Sequence, residues 1–177
     1  PTDLGAAGDL AGHEFLVHAL SEHRPLDHLL SEEGEDTAGR LSANRVWIVD
    51  PLDGTSHYSN LEPDYAVHIA LWERNSPAPF ELPASSISVP AMNLVIGMRK
   101  TKLPEIADGP IRILISATRP PVELDQICEI LKTQFPERKQ PKLISMGSVG
   151  AKLAQIIAGE ADLYINTGGF YEWDVAA

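Results

Sequence analysis

The sequence predicts a layered α/β or α+β architecture, and three observations lead there. A helical periodicity opens the chain, several short apolar runs follow, and the last third alternates strand-like with helix-like segments. The 177 residues suffice for one domain with a real core, or for a large part of a two-layer domain. The hydrophobic content of 44% and charged content of 22% are those of an ordinary folded chain, and no apolar run is long enough to cross a bilayer.

Taken in order, Ala11, Phe15 and Ala19 recur at a spacing of four, with Leu16 and Leu20 beside them, and predict a helix over 9–21. Residues 26–30 lead into the acidic run Glu32, Glu33, Glu35, Asp36. The β-branched run 46–49, containing Trp47, predicts a buried strand that Pro51 and Gly54 stop. A strand at 65–72, a turn at 75–79 and strands at 86–90 and 93–99 read as one antiparallel region, followed by a Pro- and Gly-punctuated loop over 101–110. Beyond it come a strand at 111–116, an amphipathic helix at 122–133 introduced by Pro120 and Pro121, and a strand at 143–146. A helix over 148–158 follows the Gly147 turn and ends at Gly159; then come a strand at 161–165 and a helix start at 172–177. The expected division is 1–110, an α+β part carrying the acidic motifs, and 111–177, the start of an α/β part expected to be incomplete because the pattern stops in a first helical turn.

A net charge of −11 argues against a nucleic-acid polymer as partner, because phosphate backbones call for a basic face. Small phosphorylated molecules stay open, since cations held by carboxylates can bridge to phosphate. The single cysteine, Cys128, can form no internal disulfide, which fits a reducing, cytoplasmic setting; it falls on the stripe Leu124, Ile127, Cys128, Leu131 and reads as a buried helix residue. The six histidines show no paired metal-ligand spacing, and His68 reads as a packed strand residue.

The sharpest feature is Asp50-Pro51-Leu52-Asp53-Gly54-Thr55. It sits at the carboxyl end of a predicted strand, the edge where α/β proteins place ligands. Pro fixes φ and Gly permits a tight turn, so both carboxylates and the Leu52 carbonyl can converge on one hard divalent cation. Thr55 adds a hydroxyl able to hold a water. Asp9, in Ala7-Gly8-Asp9, reads either as a helix N-cap or as a group that binds or orients an extra metal.

The string Trp47-Ile48-Val49-Asp50-Pro51-Leu52-Asp53-Gly54-Thr55 resembles the signature of the inositol-monophosphatase superfamily. Leu30-Ser31-Glu32-Glu33 resembles that family's acidic pair, and Glu172-Trp173-Asp174-Val175-Ala176-Ala177 its late Trp-Asp motif, in the family's order and over essentially the whole chain. The resemblance implies an αβαβα sandwich, apparently truncated at its C-terminus. It implies two or three Mg²⁺ ions held by Glu32, Asp50, the Leu52 carbonyl, Asp53 and Asp174, with Asp9 at an extra site. Thr55, with Glu32 or Asp9 as partner, positions the attacking water, Asp50 belongs to the same catalytic set, and Glu33 lies near the water network. Lithium sensitivity, a small phosphorylated substrate and a homodimer as the assembly it allows complete the implication.

Within that superfamily the chain most resembles the actinobacterial 3'(2'),5'-bisphosphate nucleotidase (CysQ-type) branch, linked to sulfur assimilation. This rests on Ser31 before the acidic pair, on Ile115-Ser116-Ala117-Thr118-Arg119, on Gly147-Ser148-Val149-Gly150-Ala151-Lys152, and on Thr167, Gly168 and Gly169 where an inositol-contacting glutamate would stand. The substrate contacts implied are Asp53, Gly54, Thr55, Ser116, Arg119, Ser148, Lys152 and Asp174. Arg119 and Lys152 are cations suited to a second phosphate, and the start of the helix after Gly147 offers backbone N–H groups to one. Inositol 1-phosphate and fructose 1,6-bisphosphate are the alternative substrates, and a non-catalytic phospholigand-binding relative is a further alternative.

Overall fold

A computed structural model describes residues 2–98, 104–106 and 108–177. It opens with helix α1 (Thr2–His23), which starts well before residue 9. The buried face of its first half is made of glycine. Gly5 lies against Ser59 and Thr55, Gly8 against Tyr58 and Leu52, and a Cβ on Gly12 would stand 3.1 Å from Pro51. Phe15 is 70% exposed and Ala11 also faces outward, so the predicted apolar row is not the packed one. Counting apolar side chains cannot detect a face whose function is close backbone approach.

Five strands form the first sheet in sequence order: β1 (His28–Ser31), β2 (Arg45–Asp53), β3 (Ala66–Glu73), β4 (Ala84–Val89) and β5 (Leu94–Gly97). β1 pairs with β2 in parallel and the other neighbours are antiparallel. β1 has only four residues, too few to show a period, and reads in sequence as a lead-in to the acidic run. β2 runs past the predicted end at residue 49 to Asp53, with its register against β3 shifted between Asp50 and Asp53, where Pro51 offers no N–H. Residue 99 of the predicted strand 93–99, and residues 101–103 and 107 of the predicted loop, lie outside the described residues.

The second sheet has the order β7-β6-β8 and is wholly parallel, built from β6 (Arg112–Ser116), β7 (Lys142–Met146) and β8 (Leu163–Tyr164). Helix α3 (Leu124–Gln134) connects β6 to β7 with Cys128 buried as expected, while Val122, 92% exposed, stays outside it. Helix α4 (Val149–Ile157) connects β7 to β8, and the short α5 (Glu172–Val175) follows. The boundary at residue 110 falls between the two sheets, yet α4 ties them together. Its Ala151 and Ala154 share an apolar cluster with Ala66, Ile87 and Val89 of the first sheet. Small side chains let the helix come close, and that approach brings its N-terminus to the end of β2. No helix among the described residues is long and apolar enough to cross a membrane.

Candidate active site

Asp50 lies at the end of β2, is 1% exposed, and accepts the Leu52 amide on Oδ1 at 3.0 Å, a turn that the Asp side chain stabilises locally. Gly54 follows with φ of 93° and starts a helix absent from the sequence prediction, α2 (Thr55–Ser59). A side chain there would be strained in φ and would press on the Asp64 carbonyl at 3.0 Å. Thr55 Oγ1 is 3.2 Å from both Asp9 Oδ1 and the Leu52 carbonyl. Asp9 therefore belongs to the interior of α1, and the N-cap alternative for it is overturned: its carboxylate bridges across to Thr55 instead.

The carboxylates crowd one another. Burial pushes Asp50 up to about 9, with the charges of Asp53 and Glu32 adding to it. Glu32, just beyond β1 and exposed as a whole residue, is also raised, first by burial of its carboxyl and further by Glu33, Asp174 and Asp9; its hydrogen bond with Asp50 opposes the rise. Asp9 is raised by burial and by Glu33, against the Thr55 hydrogen bond. The hydrogen bond between Glu32 and Asp50 holds Glu32 down and raises Asp50, as expected for two neighbouring carboxyls. Asp53 differs. Burial raises it, but His68, the Ser148 hydroxyl and the Gly150 amide together hold it below the ordinary carboxylate value. The donor set of carboxylates and one backbone carbonyl is all oxygen and strongly anionic, which fits a hard divalent cation such as Mg²⁺.

Asp53, Gly54, Thr55, Ser116, Arg119, Lys152 and Asp174 all line a single cleft of about 470 Å³. Glu32, Asp50, Leu52 and Asp9 do not line it, and join it through Asp53 and Thr55. Asp174, in α5, accepts the Tyr171 amide at 2.7 Å. Ser148 stands apart: it is 1% exposed, caps α4 and gives its hydroxyl to Asp53. The amides at the start of α4 go to the same two side chains, Gly150 to Asp53 and Ala151 to Ser148. Lys152 is not a solvated helix lysine. It is 1% exposed, its ammonium donates to the Met146 and Gly147 carbonyls, and burial brings it down to about 8 with Arg119 adding, against the attraction of Asp53 and Asp64. The ring of Tyr164 lies 5.0 Å from that ammonium, and burial, with Asp53 and Asp174, pushes its phenol up to about 12.

Several groups in and behind the cleft carry no sequence signal. His57 lines the wall, its Nδ1 beside Glu62 and 3.2 Å from Asp64 Oδ1, and its ring occupies the space a Gly147 side chain would need. Asp64 takes the Gly147 amide on its other oxygen. His68 is a packed strand residue as expected, but a polar bridge as well: Nδ1 is 3.0 Å from the Trp173 carbonyl, and Nε2 is 3.2 Å from Asp53 Oδ2, near enough for charge attraction though off the hydrogen-bond line. The partners of Asp64 and His68 lie 83 and 105 residues away at Gly147 and Trp173, so no local pattern could have revealed them.

A layered α/β fold whose strand end gathers carboxylates beside a cleft lined with hydroxyls and an arginine offers a candidate site for a divalent cation. The chain belongs to the inositol monophosphatase family, whose model matches residues 1–177. It is 41% identical to the 3'-phosphoadenosine 5'-phosphate phosphatase of Mycobacterium tuberculosis over 100% of this chain, and spans 65% of that relative's length. It is 29% identical to the 3'(2'),5'-bisphosphate nucleotidase CysQ of Escherichia coli, with 97% of this chain and 69% of that protein covered. Among solved structures, CysQ from Bacteroides thetaiotaomicron superposes with a TM-score of 0.73 at 25% identity, covering 96% of this chain and 69% of that one.

Proposed function

We propose that this chain carries the site of a Mg²⁺-dependent phosphate-monoester hydrolase, a 3'(2'),5'-bisphosphate nucleotidase that removes the 3'-phosphate of 3'-phosphoadenosine 5'-phosphate. The observation that carries the reading is one cleft lined together by Asp53, Thr55, Asp174, Ser116 and Arg119. The phosphatase and nucleotidase names of its relatives support it. Glu32, Asp50, the Leu52 carbonyl, Asp53 and Asp174 would hold Mg²⁺, with Asp9 behind Thr55 as the group for an extra ion. Two or three bound ions would supply an activated water and neutralise charge on the phosphate and the leaving oxygen.

The remaining steps belong to the side chains. The Thr55 hydroxyl has one proton, and the Asp9 carboxylate and Leu52 carbonyl both stand at 3.2 Å to receive it. Its lone pairs are then free to accept a hydrogen from a water in the cleft and orient it. Arg119 makes no ion pair among the described residues, so its planar guanidinium is available to a second phosphate in bidentate fashion. Ser116 Oγ accepts the Arg119 amide at 3.1 Å and holds that loop in shape. A soluble metabolite in the cytoplasm, rather than a polymer or a membrane, is the partner this cleft suits.

The test is phosphate release from 3'-phosphoadenosine 5'-phosphate, inositol 1-phosphate and fructose 1,6-bisphosphate, each with Mg²⁺ and with an Asp50→Asn control. Rapid, Asp50-dependent release from the nucleotide alone is expected, with inhibition by millimolar Li⁺. Preference for a sugar phosphate would overturn the substrate and keep the metal chemistry. No release from any of the three would overturn the hydrolase reading in favour of phospholigand binding.

A further inference from the structure

Asp53 has two oxygens, and the start of α4 engages one of them. Oδ2 accepts the Ser148 hydroxyl at 2.6 Å and the Gly150 amide at 2.7 Å. The Ser148 oxygen in turn accepts the Ala151 amide at 2.9 Å as the helix N-cap. The hydroxyl is therefore fixed at both ends, its only proton on Asp53 and a lone pair on the helix. Closed from the cleft at 1% exposure, it has no donor left for a ligand phosphate. The surroundings hold this arrangement in place. The Asp64 side chain takes the Gly147 amide and its carbonyl the Ser148 amide, so the turn before α4 is tied on both sides. Gly150 lies so close to His68 that no side chain fits between them, which lets its amide reach Asp53.

We propose that Ser148 is a positioning residue for Asp53 and not a contact to substrate: with the Gly150 amide it pins Oδ2, and so leaves Oδ1 aimed at the divalent cation for which the carboxylate cluster is suited. The inference rests on the metal-site part of the function proposed above and not on its choice of substrate. Groups that hydrogen-bond a metal-binding side chain from behind typically change metal affinity by roughly 10- to 100-fold when removed.

The experiment is a Mn²⁺ titration of the 177-residue chain without substrate, followed by loss of the free-ion electron paramagnetic resonance signal, with circular dichroism to confirm folding. Ser148→Ala is expected to weaken Mn²⁺ binding about tenfold or more. Ser148→Gly removes the same hydroxyl with little cost to the helix cap, so it should fold and show the same loss. Ser148→Thr restores the hydroxyl and should recover most of the affinity. Mn²⁺ affinity at the wild-type level in the folded Ala and Gly variants would overturn the proposal, and a raised KM for substrate in those same variants would return Ser148 to the substrate. A wild-type chain that takes up no Mn²⁺ would overturn it as well. A chain whose Mn²⁺ binding depends on Ser148 but which releases no phosphate would sink the hydrolase reading and leave this inference standing.

Discussion

Asp50 and Asp53 leave the same strand three residues apart and finish in opposite electrical surroundings. Asp50 turns into a pocket of other carboxylates and is pushed up to about 9, whereas Asp53 meets donors from α4 and is held low despite its burial. The motif spacing is identical for a reader of either residue. What differs is which groups the fold brings up, for Asp53 from as far as 95 and 97 residues away. Carboxylate spacing identifies a candidate cation site, but the charge each carboxylate carries is set by its tertiary neighbours.

The largest effect should come from Asp50 itself. Asp50→Asn removes a central carboxylate of the proposed cation site, and phosphate release is expected to fall by roughly 10²–10³-fold or more, the scale typical of losing a preorganised electrostatic group. The same variant should raise the thermal midpoint of the metal-free chain, because it relieves the crowding that raises Asp50 and Glu32. A lower midpoint would show that Asp50 is stabilising even without a cation.

Arg119, which lines the same cleft, offers the next test. Arg119→Met should raise KM for a bisphosphorylated nucleotide by about 10- to 100-fold, the loss of a charged hydrogen-bonding group worth roughly 1.5–3 kcal/mol. A substrate with a single phosphate should be nearly unaffected. Equal losses on both substrates would place Arg119 on the phosphate that is cleaved.

A smaller, graded effect follows from pH. The folded-state value of Asp50 is about 9, above the unfolded value of 3.8, so the fold stabilises its protonated form. That contribution is fully present below the unfolded value and is lost as pH rises through the folded one. In EDTA, the thermal midpoint should decline steadily from about pH 5 to about pH 8. Lys152, brought down to about 8, releases its proton more readily folded than unfolded and works in the opposite sense above that pH. Saturating Mg²⁺ should flatten the decline, since the cation replaces the proton. A slope unchanged by Mg²⁺ would separate the carboxylate cluster from cation binding.

The smallest effect is expected far from the carboxylates. Arg112 donates to Asp162 at 2.7 and 3.0 Å and to the Gly159 carbonyl at 2.7 Å, clamping β6 to the loop after α4. Arg112→Met should cost about 1–2 kcal/mol in denaturant unfolding, the value of partly buried charged hydrogen bonds, with phosphate release per folded molecule unchanged. A drop in activity would mean that the second sheet transmits strain to the cleft through α4.

Much of the fold was legible in the sequence because it is local. The β-branched run before Asp50, the alternation over 65–72 and the Gly147 turn each encode an element through period or backbone freedom, and each appears. The exceptions have particular causes. β1 is too short to show a period, and α1 packs through Gly5, Gly8 and Gly12, where the absence of a side chain is the contact. In the site, the run from Asp50 to Thr55 could be read as a candidate cation site, since Pro, Gly and clustered carboxylates dictate a turn and suit a cation, whereas the acidic pair at Glu32 was marked only by the family resemblance.

What the tertiary structure alone decided is how those groups are held. Ser148 and Lys152 look in sequence like donors for a ligand, and the fold turns them inward, one to Asp53 and the other to the carbonyls of its own turn. His57, Asp64 and His68 look unremarkable, and the fold makes two of them part of the cleft's framework and the third a bridge between Asp53 and Trp173. The residue types needed to attract a cation are a local property of the chain. Their protonation, their orientation and the wall they face depend on burial and on partners that only the packing of α4 against the first sheet brings within hydrogen-bonding distance.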